Sequence, residues 1–131
     1  AVPGRLAKRN RGDGASVIDD SYNANPTSFA AAIAATRSIA TTLGRRLVVV
    51  AGEMRELGRL SDDAHDEVGR AIVRAKAAVV ITCGGEAERI ADVAARASIT
   101  VRRASNGVHA KPRRGETLFR SVLIVSRNCR S

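Results

Sequence analysis

Two adjacent carboxylates, Asp19 and Asp20, close the short apolar run Ala15-Ser16-Val17-Ile18. A strand that delivers paired acids at its C-terminal end supports three readings. The pair could hold Mg2+ in a phosphoacceptor pocket. One carboxylate could accept hydrogen bonds from ribose hydroxyls, as acidic residues at strand ends do in dinucleotide-binding folds. Or the pair could turn the chain into the helix that follows. The metal pocket needs a third carboxylate at the end of a later strand and a Lys after the last one. Those positions carry Thr82-Cys83 and Ser126-Arg127-Asn128, so that reading is set aside. From spacing alone the turn is favoured over the ribose contact.

Other candidates divide in the same way. Asn25 precedes Pro26, which is sufficient for a helix cap with proline at the first helical position. Gly84-Gly85 could form an anion-binding nest or a tight strand-to-helix turn. His65, among the carboxylates of 62–67, and His109, in a basic stretch, read as solvated residues, because a catalytic histidine normally shows a partner. Cys83 and Cys129 form no C-x-x-C pair, and with two histidines they complete no ligand cluster, so no metal site is expected. Reduced thiols in a cytoplasmic protein are the simpler reading. The Walker phosphate loop, the G-x-G-x-x-G fingerprint and the G-x-S-x-G elbow are all missing.

Loops at strand ends hold these residues, and the periodicity predicts the elements behind the loops. A strand ends at Asp19-Asp20. A helix runs from Pro26 to Gly44, with Phe29, Ala32, Ile33, Ile39, Ala40 and Leu43 at helical spacing. Leu47-Val48-Val49-Val50-Ala51 is the continuous apolar run of a strand buried on both faces. The loop Gly52–Gly58 follows, then a helix capped by Ser61, with Asp62 and Asp63 in its first turn and Arg70, Arg74 and Lys76 toward its end. Ala78–Thr82, the helix 86–97 and Ile99-Thr100-Val101 repeat the unit. Val122-Leu123-Ile124-Val125 is a last strand with no helix after it. The alternation predicts an α/β fold with an open, mostly parallel sheet and helices on both faces. Ligands would then meet the loops at the C-terminal strand ends.

The 131 residues and 44% hydrophobic content suit one domain over 1–131 with a sizeable core. No apolar run is long enough for a transmembrane helix and Ala1–Arg5 has no signal-peptide core, so no membrane partner and a cytoplasmic location are expected. Without an initiator Met, a start inside a longer protein is expected. The net charge of +9 sits at the ends: residues 1–14 carry +3 and residues 99–131 carry +7, against −1 for the body. That leaves open a stand-alone, non-catalytic module for nucleic acid or another polyanion. However, Tyr22, Phe29 and Phe119 are the only aromatic residues, too few for base stacking, and nineteen of the 22 basic residues are Arg, as codon bias also produces.

Four strings occur in order: Ala1-Val2-Pro3-Gly4-Arg5-Leu6, Ile18-Asp19-Asp20-Ser21-Tyr22-Asn23-Ala24-Asn25-Pro26, Gly52-Glu53-Met54-Arg55-Glu56-Leu57-Gly58, and His65-x-x-Val68-Gly69. Together they resemble the C-terminal domain of the Mur ligases of peptidoglycan synthesis, in the branch that takes D-alanyl-D-alanine. The resemblance covers about 1–101. It implies a Rossmann-like domain that closes over a central ATPase domain, completes the nucleotide site and contributes to the dipeptide site. The implied reaction uses ATP and Mg2+ to phosphorylate the carboxylate of UDP-N-acetylmuramoyl-tripeptide; the amine of D-alanyl-D-alanine then attacks the acyl phosphate. It places Arg5 near the nucleotide and its phosphates, Asp20 on the ribose, and Tyr22 and Asn25 near ATP, which reverses the preference at Asp20. Asn23, Glu53 and Met54 become candidates for the substrate cleft. The phosphate loop, the modified Lys and the Mg2+ ligands belong to the central domain, so this chain alone is expected to be inactive. The stretch 102–131 is basic and divergent, without the family's Lys-Gly-Ser-Arg and closing helix, which suggests a truncation or an altered reading frame.

Overall fold

The computed structural model describes residues 7–10, 16–20, 26–52, 54, 58–104 and 121–126, with the backbone alone for 7–10, 16–20 and 121–126. The elements are β1 (Ala7–Asn10), β2 (Ser16–Asp20), α1 (Pro26–Leu43), β3 (Arg46–Ala51), a 3-10 turn (Gly58–Leu60), α2 (Ser61–Arg74), β4 (Val79–Thr82), a second 3-10 turn (Gly85–Ala87), α3 (Glu88–Arg96), β5 (Thr100–Arg103) and β6 (Ser121–Ser126). They form one six-stranded sheet in the order β1-β2-β6-β3-β4-β5.

The open, mostly parallel sheet agrees with the periodicity. Among the described strands only β1, a polar edge strand that hydrophobic patterning does not mark, runs antiparallel, with Ala7 opposite Asp19. The last strand, β6, enters the middle of the sheet. Leu123 and Ile124 pair with Val17 and Ile18 on one side, and with Val48 and Val49 on the other.

The three described helices share one face of the sheet. Phe29 and Ile33 of α1, Val68 and Ile72 of α2, and Ile90 and Ala94 of α3 join Leu47, Val49, Ala51 and Val80 in one buried cluster. The alternate residues Val48, Val50, Val79 and Ile81 form a second cluster on the opposite face. The geometric reason is direct. The crossovers β2-α1-β3, β3-α2-β4 and β4-α3-β5 all step the same way across the sheet, and right-handed crossovers in one direction lay their helices on one side.

The three described helices end in the same motif. In α1 the N–H of Gly44 bonds the carbonyl of Thr41 and that of Arg45 bonds Ala40. In α2, Lys76 and Ala77 bond Val73 and Ile72; in α3, Ser98 and Ile99 bond Ala95 and Ala94. These are Schellman closures, which need a left-handed residue just past the helix. Gly44 supplies it at φ 63°, and Lys76 and Ser98 adopt it at 53° and 64° without being glycine.

Between α2 and α3 the helices meet at Gly69. A Cβ added there would lie 2.8 Å from Val93 Cβ. Hydrogen at this position is what allows the contact.

Candidate functional site

The C-terminal ends of the parallel strands lie along one edge of the sheet. Asp20 ends β2 and pairs with Ser126 at the end of β6. Ala51 ends β3 and pairs with Thr82 at the end of β4. The backbone of Asp20 is therefore two strand spacings, ~10 Å, from the start of the loop after β3. The fold thus brings Asp20, Gly52 and the Gly84-Gly85 turn to one edge, although they are far apart in sequence. Arg5, Tyr22, Asn23, Asn25 and Glu53 lie outside the described residues, as does His109. Met54 is described: its side chain is buried at 6% exposure within the helix-side core.

Gly84 and Gly85 form a turn. Gly84 has φ 77° and ψ −176°, a region open essentially to glycine alone. Its carbonyl accepts from the N–H of Ala87, which starts the short 3-10 turn before α3.

His65 is placed very differently from the solvated position read from its acidic neighbours. It is fully buried, at 0% exposure. Its Nε2 lies 2.9 Å from the backbone nitrogen of Met54. Its Nδ1 lies 2.7 Å from the carbonyl oxygen of Ser61 and 3.2 Å from the Ser61 hydroxyl. The missed signal was in the spacing: His65, Val68 and Ile72 stand three and then four apart, on the buried stripe of α2. Ser61 is also reassigned. The residue before the helix is Leu60, without a side-chain cap, and the Ser61 hydroxyl faces His65 instead.

The carboxylates of α2 are less free than a solvated face would be. Arg89 of α3 grips Asp66 with two parallel bonds, Nε to Oδ1 at 3.1 Å and Nη2 to Oδ2 at 2.8 Å. That hydrogen bonding holds the Asp66 carboxyl below its ordinary range, against a smaller opposing effect of burial. Arg103, at the end of β5, is likewise held by Glu88 and Asp92 of α3. Cys83 is disulfide-bonded, not the reduced thiol expected; the sequence's one other cysteine, Cys129, lies outside the described residues.

Among the described residues no three His, Cys, Asp or Glu side chains are grouped to hold a metal ion. No described helix is long and apolar enough to cross a membrane. An open groove of about 370 Å3 lies between α2 and α3, lined by Arg70, Val73, Arg74, Val93, Arg96 and Ala97. Those residues belong to the C-terminal parts of the two helices, which lead into the N-terminal ends of β4 and β5. The groove is thus on the side away from Asp20.

A family profile described as the Mur ligase, glutamate ligase domain matches residues 4–122. The chain belongs to this family. Among curated relatives, the UDP-N-acetylmuramoyl-tripeptide--D-alanyl-D-alanine ligase of Mycobacterium bovis is 43% identical over 82 residues, which is 61% of this chain and 16% of the relative. The ligase of the same name from Escherichia coli is 39% identical over 90 residues, 69% of this chain and 19% of the relative. The chain therefore spans less than a fifth of the length of these relatives. Among solved structures, a MurF ligase from Thermotoga maritima in complex with ADP superposes with a TM-score of 0.69 at 23% identity, covering 98% of this chain and 28% of that one. A domain from a putative ligase of Haemophilus ducreyi superposes at 0.62 and 18% identity, covering 94% of this chain and 88% of that one. At these identities the structural likeness speaks for the fold.

Proposed function

We propose that this Mur ligase domain is the C-terminal, nucleotide-closing and dipeptide-accepting part of an ATP-dependent ligase that joins D-alanyl-D-alanine to UDP-N-acetylmuramoyl-tripeptide. The observation that carries the proposal is the level and nature of the relatives: 43% and 39% identity to two ligases of that name from distant bacteria.

In the proposed reaction, the tripeptide carboxylate attacks the γ-phosphorus of ATP. The bond from that phosphorus to the bridging oxygen breaks, and ADP leaves with the electron pair. The dipeptide amine then attacks the acyl carbon, phosphate departs, and the amine's proton passes to a base. Catalysis of such steps is mostly positioning and charge stabilisation. Arg5 would offset phosphate charge. Asp20, at the end of a parallel strand, would accept from the ribose hydroxyls, with Tyr22 and Asn25 beside the nucleotide. Asn23, Glu53 and Met54 would border the dipeptide, Met54 as the buried anchor of its loop. Mg2+ would screen the phosphates when bound, and its ligands are assigned to a central ATPase domain working with this one, in the same chain or as a separate subunit. The reaction belongs in the cytoplasm, where ATP and the UDP-linked precursor are found.

The test uses the gene product that carries these residues. Arg5→Ala and Asp20→Ala are each expected to lower kcat/KM for ligation about 10²-fold with no change in thermal unfolding, since each removes a charged contact to nucleotide. Wild-type ligation rates in both variants would contradict the assignment.

A further inference from the structure

We propose that His65 is a positioning residue for the ligation site: its ring staples the loop after β3 to α2 and so sets where that loop meets substrate. The inference deepens the reading above, because it takes the Gly52–Gly58 loop to face the cleft.

The hydrogen bonds fix the state of the ring. The Met54 amide can only donate, so Nε2 must be an unprotonated acceptor. The Ser61 carbonyl can only accept, so Nδ1 must carry the proton. Only the neutral ring with its proton on Nδ1 satisfies both partners. A buried imidazole with both nitrogens engaged bridges a helix carbonyl on one side and a loop amide on the other, through a rigid plane. Acid and ammonium side chains lack this donor-and-acceptor pairing, and apolar ones would leave the Met54 N–H without its partner.

The staple acts at one point in the loop. Met54 is the third residue of the string 52–58. Its side chain is packed in the cluster that contains Ala51, Ala64 and Val68. Its N–H is held by a ring one turn inside α2. Two anchors on one residue fix Met54 itself, between Gly52 and Gly58 in sequence. The ring also lies below the surface, so His65 does not contact substrate itself. Its influence reaches substrate through the loop.

Two variants of the gene product that carries this chain separate positioning from mere packing. His65→Phe keeps a ring of similar shape and removes both nitrogens. His65→Gln places an amide oxygen where Nε2 stood, able to accept from Met54. Hydrogen exchange is read at the Met54 amide, with kcat and KM for the dipeptide beside it. In His65→Phe the Met54 amide is expected to exchange at least 10-fold faster and kcat/KM to fall 10- to 100-fold, the size of effect a displaced positioning group produces. His65→Gln is expected to recover most of both. The proposal is overturned if His65→Phe keeps both values. It is equally overturned if His65→Gln folds as the wild type does yet recovers neither. A wild-type product with no ligation activity would instead remove the functional reading, and the exchange comparison would still decide whether His65 holds the loop.

Discussion

At the scale of single residues, the His65-x-x-Val68-Gly69 string has a separate physical task at each named position. His65 holds a loop amide, Val68 is fully buried in the core, and Gly69 lets α3 approach. Two effects compete at Gly69. Alanine is favoured over glycine in a helix by about 1 kcal/mol. Overpacking a tight contact costs about 1–3 kcal/mol, and here the added Cβ would meet Val93 Cβ at 2.8 Å. The clash should win. Gly69→Ala is expected to lose about 1 kcal/mol in urea unfolding, and Val93→Ala in the same background should return part of it, because it removes the Cγ1 and Cγ2 contacts at 3.0 and 3.2 Å and leaves only that of Cβ. A stabilised Gly69→Ala protein would show that the helices part without cost. His65 also shows where sequence reading failed at this scale. Its neighbours Asp62, Asp63, Asp66 and Glu67 are acidic, and they argued for solvent. The three-and-four spacing to Val68 and Ile72 argued for the core and was the stronger physical signal.

At the scale of elements, the sequence carried most of the strands and helices. Leu47–Ala51 is apolar throughout and Val79–Thr82 is β-branched throughout, and both are strands. Pro26 begins α1 and Gly44 closes it, as the start and stop residues suggested. Two helix ends were less legible, because their left-handed closures fall on Lys76 and Ser98. Such a conformation costs a non-glycine residue roughly 1–2 kcal/mol, while glycine adds unfolded-state entropy that takes back part of the gain. Ser98 is exposed, so its side chain contributes little packing. Ser98→Gly is therefore expected to stabilise the fold by about 0.5–1 kcal/mol, read from the urea midpoint at unchanged slope. A loss of stability would mean that the Ser98 side chain contributes more than the strain. The edge strand β1 escaped notice because Ala7-Lys8-Arg9-Asn10 has no apolar alternation, as befits an edge that must not aggregate.

At the scale of the whole molecule, the order of the strands was not in the local pattern. Periodicity identifies Val122–Val125 as a strand, but its place between β2 and β3 depends on pairings with residues more than 70 positions away. The same topology gathers the candidate site, since β2, β3 and β4 end along one edge. It also lays the three described helices on one face. Of the candidate residues, the placement of Asp20 follows from its strand and that of Met54 from the core. The chemistry assigned to Arg5, Asp20, Tyr22 and Asn25 rests on motif, because side-chain type alone left Asp20 divided between turn and ribose contact. The basic ends do not alter this reading, since the family match spans residues 4–122 and so includes most of both basic segments.

The most direct test is to purify the gene product that carries this chain and incubate it with ATP, Mg2+, UDP-N-acetylmuramoyl-tripeptide and D-alanyl-D-alanine. The ligated product is then followed by mass. The account predicts one pentapeptide formed per ADP released, and no product when either peptide or ATP is left out. ATP hydrolysis without ligation, or no reaction from a folded product, would contradict it.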